Sequence, residues 1–191
     1  MTRVYRLRTS LLVALLALGF TLGVAISPAS ASRTLAIAAA TPGTPVAQTS
    51  ANPKVGDAVD YINESGGVIA TLTVSKVVQP WDEYGDYYAP DPGSEYVAFA
   101  IDIEHFGTRG DLLISPDDFY LQDVDGFLLS RSWSAGADDA KLKPTTDPIA
   151  ISPGKTTEVV IVFEVLQGVD LSDLYWQPDF DRLITLANLR S

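Results

Sequence analysis

The sequence predicts an all-β protein, an immunoglobulin-like sandwich of two antiparallel sheets with about seven to nine strands, preceded by a signal peptide and a disordered spacer. Three observations carry this. Three segments alternate apolar and polar residues with period two, turn signals rich in Gly, Pro and Asp separate them, and no window holds a long helical stripe. Only Ala135 to Lys141 is short and polar enough to make a turn or two of helix.

The first eight residues hold Arg3, Arg6 and Arg8 and no acid, and an apolar run follows from Leu11 to Ile26. That is the charged start and apolar body of a secretory signal, and the run is shorter than the roughly 20 residues a membrane-spanning helix needs. Ala29-Ser30-Ala31 offers the small residues that signal peptidase accepts, so cleavage is expected after Ala31. The alternative is an uncut anchor that ties the same domain to the membrane. No cysteine is present to take a lipid or form a disulfide, so the domain depends on its own core.

Residues 32 to 53 are mostly Ala, Thr, Pro and Ser with little charge, a composition that buries too little to offset its ordering entropy and reads as a flexible spacer. The domain is expected over residues 54 to 191. Val68, Ala70, Leu72 and Val74 face one way, with Thr71, Thr73 and Ser75 opposite. Val97, Phe99, Ile101 and Ile103 repeat the pattern, as do Val159, Ile161, Phe163 and Val165. Strands buried on one face produce this alternation. Shorter strands are expected at Asp57 to Ile62, Phe119 to Gln122, Phe127 to Ser130 and Phe180 to Leu186. Turns fall at Ser65-Gly66-Gly67, Pro92-Gly93, Gly107 to Gly110 and Ser152-Pro153-Gly154, and Asp123-Val124-Asp125-Gly126 marks a hairpin.

The charge balance narrows the partners. The chain has 13 basic and 24 acidic residues, a net of −11; cleavage after Ala31 removes three arginines and leaves 10 − 24 = −14. Such a surface repels phosphate, which argues against nucleic acid and anionic membrane surfaces as partners. Membrane association is expected only if the signal segment stays uncut.

The order of several motifs is similar to one known family. Gly56-Asp57 opens the domain, Leu72-Thr73-Val74 lies in the next strand, and Gly93 precedes Tyr96-Val97-Ala98-Phe99. Ile101-Asp102-Ile103-Glu104, Ile114-Ser115-Pro116-Asp117-Asp118-Phe119-Tyr120-Leu121-Gln122-Asp123, Asp125-Gly126, Ile151-Ser152-Pro153-Gly154 and Val162-Phe163-Glu164-Val165 follow. Over most of Val55 to Leu186 the chain resembles the bacterial domain-of-unknown-function 4352 family, related to mycobacterial secreted antigen domains. The resemblance implies an immunoglobulin-like sandwich on exported proteins and lipoproteins, with a role in binding outside the cell and no catalytic residues. His105 stands where members of that family often carry Asn.

The candidate contact surface is the segment from Pro80 to Gly93. It is longer than a hairpin requires and mixes aromatic and acidic residues without strand or helix period. Trp81, Tyr84, Tyr87 and Tyr88 are the candidate ligand-binding residues for a protein or glycan, since rings on a loop offer rigid contact area with a polar tip. The competing expectation is that Trp81 and Tyr88 fold back to plug an open end of the sandwich.

The same loop holds Asp82, Glu83, Asp86 and Asp91, oxygen ligands suited to calcium. A second acidic group, Asp117, Asp118, Asp123 and Asp125, brackets the hairpin without the spacing of an EF-hand. Zinc is excluded because one histidine and no cysteine cannot supply its ligands. His105, the sole histidine, reads as a strand-ending residue rather than the base of a nucleophilic triad, and no G-x-S-x-G elbow accompanies it. Tyr175, Trp176 and Phe180 are expected to pack on the core or cover a sheet edge. Asn63-Glu64-Ser65 is a glycosylation sequon.

The functional expectation is an exported binding module without cofactor or catalytic activity. The alternatives are a hydrolase of extracellular polymers working through paired carboxylates, and a passive spacer at the cell surface.

Overall fold

The computed structural model describes residues 52–190; the signal expected at 1–31 and the expected spacer up to residue 51 lie outside them. Ten strands follow in order: β1 (Ala58–Ile62), β2 (Val68–Val78), β3 (Ser94–His105), β4 (Leu112–Ile114), β5 (Phe119–Asp123), β6 (Leu128–Ser130), β7 (Ile149–Ile151), β8 (Thr156–Leu166), β9 (Leu171–Asp179) and β10 (Arg182–Asn188). A single 3-10 turn at Pro116–Asp118 is the one helical element among the described residues, so the helix expected at Ala135 to Lys141 is not formed. One sheet has the order β1-β2-β3-β8, the second β10-β9-β5-β6, and β4 pairs with β7 in a small ribbon. Every pairing is antiparallel.

The three alternating segments become β2, β3 and β8, and their registers align the apolar sets. Val97 lies opposite Phe163, Phe99 opposite Ile161 and Ile101 opposite Val159. The rings of Phe99 and Phe163 meet edge to face at 5.8 Å. Against this face the second sheet sets Phe119, Leu121, Leu174, Trp176 and Leu186, and the ribbon adds Ile114 and Ile151. Each such side chain taken from water contributes about 1.5–3 kcal/mol. Trp176 stacks on Phe119 at 6.4 Å and meets Tyr61 edge on at 5.0 Å.

Ten strands exceed the seven to nine expected, and the missed ones share a cause. The strands β4 and β7 are three residues long, too short to show a period. In β9 the register shifts between its partners Gln122 and Asp123, which breaks the alternation, and Pro178 reads as a strand breaker. The hairpin at Asp123 forms a three-residue loop: Gly126 N–H donates to Asp123 C=O, Asp123 N–H to Phe127 C=O, and Gly126 takes a φ of 92° that L residues rarely adopt.

The lateral edge formed by β1 and β10 is closed by Arg182. Its guanidinium donates to Ile62 C=O at 2.9 Å and Tyr61 Oη at 2.8 Å, pairs with Asp179, and lies over the Tyr61 ring at 4.8 Å. Burial holds the Tyr61 hydroxyl above its usual range. Asn188 N–H donates to Pro53 C=O, which ties the chain entering the domain to the last strand.

Candidate functional site

Strand β3 departs from one-face burial. Tyr96, Ala98 and Ala100 point away from the sandwich core, yet they are buried, as are Val160 and Val162 beside them on β8. Two segments cover them: the β2–β3 loop with Trp81 and Tyr84, and the stretch from Arg131 to Asp147 with Leu142. The result is a second apolar layer on the outer face of the first sheet.

The loop is pinned at its base by backbone and carboxylate bonds. Trp81 N–H donates to Tyr96 C=O at 2.7 Å. Glu83 C=O accepts from Ala137 N–H, Gly85 N–H donates to Ala135 C=O, and Tyr84 forms a β-bridge with Gly136. The Glu83 carboxylate accepts the N–H groups of Lys141 at 2.7 Å and Leu142 at 3.0 Å, and the bond from Leu142 leads in holding its pKa below the usual carboxylate range. Trp81, Tyr84 and Tyr96 then form a ring triad with centroids 5.5 to 6.2 Å apart. Burial, then the charges of Glu164 and Asp91, push the Tyr96 hydroxyl up.

The four candidate aromatics therefore divide. Trp81 is 1 % exposed and Tyr84 half-buried, so they anchor the loop. Tyr87 is 97 % exposed and Tyr88 43 %, and they stand at the tip. Trp81 covers a sheet face rather than plugging an end of the sandwich, because the small side chains Ala98 and Ala100 leave that face low enough to receive an indole.

The candidate calcium ligands are not brought together. Glu83 is held by backbone N–H groups, Asp82, Asp86 and Asp91 are exposed, and among the described residues no group of three or more carboxylates or imidazoles converges. In the second acidic group, Asp117 pairs with Arg131 at 2.6 Å and Asp123 accepts the Phe127 N–H at 2.9 Å. His105 is 2 % exposed, and its Nδ1 is hydrogen-bonded to Ile151 C=O at 2.8 Å. It fastens β3 to the ribbon rather than simply ending a strand. In the sequon, Asn63 Oδ1 accepts from Ser65 N–H, Ser65 Oγ and Gly67 N–H, a role that shapes the β1–β2 turn.

The second aromatic cluster also divides. Trp176 is core, and Tyr175 is half-buried with its hydroxyl donating to Gln122 Oε1 at 3.0 Å. Phe180 corrects the expectation of packing: at the tip of the β9–β10 hairpin it is fully exposed. Trp133 is an exposed aromatic that sequence reasoning passed over. It is 69 % exposed and lies against the Arg131 guanidinium at 4.0 Å, itself fixed by Asp117. The signal was a Trp between polar residues in a stretch without period.

No family model and no curated protein matches the chain. Solved structures do. The yjhA protein of Bacillus subtilis aligns with 72 % of this chain and 99 % of its own, at 14 % identity and a TM-score of 0.51. The ycdA protein of Bacillus subtilis strain 168, a predicted lipoprotein, aligns over 73 % of this chain and 40 % of its own, at 16 % identity and TM-score 0.50. A secreted protein of Mycobacterium tuberculosis, MPT63, aligns over 71 % of this chain and 96 % of its own at 18 % identity and TM-score 0.49. The chain shares the two-sheet antiparallel β-sandwich fold with the two Bacillus subtilis proteins.

Proposed function

We propose that this chain is an extracytoplasmic, non-catalytic recognition module that holds a protein or glycan partner through the tip of the β2–β3 loop. The observation that carries it is Tyr87, 97 % exposed on a loop whose base is fixed by Trp81, Tyr84 and Glu83. A contact ring held on a pinned loop loses little freedom when it binds, which is how preorganised surfaces gain affinity. Tyr88 stands beside it, and Trp133 lies on the segment that fastens the loop. The location is supported by the basic and apolar pattern of residues 1–31, and it is the address that the word lipoprotein gives the ycdA neighbour. The non-catalytic reading is supported by His105, whose imidazole is buried and hydrogen-bonded to main chain.

The test is an array of immobilised cell-wall glycans and cell-surface proteins probed with the exported protein. The double variant Tyr87→Ala, Tyr88→Ala is expected to lose capture by at least about tenfold, the scale of a contact-residue deletion, while keeping its melting temperature. Capture unchanged in that variant would remove the loop from the binding surface.

A further inference from the structure

The four lateral edges of the two sheets are not treated alike. The edges at β1 and β10 are closed by Arg182 and by the Asn188 to Pro53 bond. The edge of β8 is covered by the segment after β6: Ser132 N–H donates to Val162 C=O, Thr145 N–H to Val160 C=O, Val160 N–H to Thr145 Oγ1, and Glu164 N–H to Ser132 Oγ. Among the described residues, β6 hydrogen-bonds on one side only, to β5. Asp123 N–H donates to Phe127 C=O, and antiparallel pairs alternate, so Phe127 and Leu129 face β5 while the N–H and C=O of Leu128 and Ser130 point outward.

Beside this edge lies a cleft of about 470 Å³ between the ends of β6 and β8. Its apolar wall includes Phe127, Leu128 and Leu166, which are 68 %, 54 % and 70 % exposed. Free strand edges next to exposed apolar side chains are normally blunted by charge on the strand or by cover, whereas β6 is Leu128-Leu129-Ser130, without a charged residue, and no strand or segment hydrogen-bonds over it among the described residues. We infer that the cleft and the β6 edge together form a second binding site, which takes an extended, apolar and basic peptide segment of a partner protein by strand addition.

Three features select that occupant. The outward N–H and C=O groups of Leu128 and Ser130 match main chain in extended form. The cleft is lined by Asp123 and Glu164 and by no lysine or arginine, in a chain of net charge −11, so the complementary segment carries cations. Phe127, Leu128 and Leu166 are the exposed apolar side chains of the cleft, few beside the roughly 20–30 residues a side that a stable interface between folded domains engages. A second copy of this chain is therefore too large an occupant for the contact, and a strand of a few residues fits. Glu164 also accepts the Asp91 N–H at 2.7 Å, which joins the cleft to the end of the aromatic loop, but neither Tyr87 nor Tyr88 lines the cleft, and the inference does not depend on the reading of those rings.

The probe is a fluorescein-labelled eight-residue peptide alternating Val and Lys, titrated into the full-length protein by anisotropy. Binding is expected, with affinity at least about tenfold weaker for the Val and Glu peptide and for a Val and Lys peptide methylated at every backbone nitrogen. Ser130→Pro deletes one outward N–H and leaves the apolar wall intact, and it is expected to weaken binding by a similar factor. Phe127→Lys should do the same, whereas Phe180→Ala, at the exposed tip of the β9–β10 hairpin, should leave peptide affinity unchanged. The methylated peptide tests strand addition on unaltered protein should either variant fail to fold. No binding of the Val and Lys peptide below millimolar, equal binding of the methylated or acidic peptide, or full binding by Ser130→Pro would overturn the inference. So would a concentration-dependent dimer that Ser130→Pro abolishes while the peptide does not bind, because the occupant of the edge would then be a second copy.

Discussion

Replacing Trp81 by Ala tests whether the β2–β3 loop is a packed layer or a loose appendage. The indole is 1 % exposed, lies 6.0 Å from the Tyr96 ring and 6.2 Å from the Tyr84 ring, and rests on Ala98, Ala100, Val160 and Val162. Deleting a buried tryptophan ordinarily costs about 3–5 kcal/mol. One term opposes this: the Trp81 indole N–H is buried without an acceptor among the described residues, and removing such a donor returns about 1–3 kcal/mol. Taking the middle of each range, the net expectation is a loss of about 2 kcal/mol. For a domain of about 140 residues each kcal/mol shifts the midpoint by about 3–5 °C, so Tm should fall by about 6–10 °C. Trp81→Phe keeps much of the ring and deletes the unpaired donor, so it should lie within about 1 kcal/mol of the parent. Urea melts of the three proteins, followed by far-ultraviolet circular dichroism, give the numbers. A Trp81→Ala variant within about 0.5 kcal/mol of the parent would refute the packed layer, and with it the claim that Tyr87 stands on a rigid support.

Two further predictions concern how the loop and the ribbon are held. The Glu83 carboxylate sits below its ordinary value of 4.5 in the folded chain, so the stability it supplies is complete above that value and is lost as pH falls through the folded pKa. Glu83→Gln should thus be less stable than the parent at pH 7, with the difference closing toward pH 3 in paired thermal melts; a constant difference would show that the carboxylate charge plays no part. Asp118, whose carboxyl burial holds above its usual range, contributes with the opposite sign in both proteins and cancels in the comparison. At Gly107 an added Cβ would overlap His105 Nε2, so Gly107→Ala should drive the imidazole off Ile151 C=O and destabilise the fold by about 1–3 kcal/mol. A double-mutant cycle with His105→Ala should show coupling above about 0.5 kcal/mol, and strict additivity would sink the argument.

The fold was legible in the sequence wherever one face of a strand was buried and the strand was long. The strands β2, β3 and β8 announced themselves because Leu72, Phe99 and Ile161 recur with their neighbours at every second position. The hairpin at Asp125-Gly126 was legible for a different reason, since a left-handed turn position all but demands glycine. What escaped was structure without a period: the three-residue ribbon strands and β9, whose bulge shifts the alternation. The outer layer on the first sheet escaped as well. Tyr96, Ala98 and Ala100 read as the solvent side of an alternating strand, and nothing local says that Trp81 and Leu142, from two distant segments, will cover them.

The candidate site shows the same division. Composition and loop length determined that Pro80 to Gly93 is an aromatic, acidic excursion between two strands. Tertiary structure decided which rings anchor and which are presented, because burial depends on the segment from Arg131 to Asp147 lying against the loop. It also decided that Glu83 is held by main-chain N–H groups rather than grouped with Asp82, Asp86 and Asp91. By itself the sequence determined an acidic, cysteine-free chain with antiparallel strands, since charge, cysteine count and period are sums over neighbouring residues. The second apolar layer, the covered edge of β8 and the open edge of β6 arise from contacts between segments far apart in the chain, and only the folded arrangement sets them.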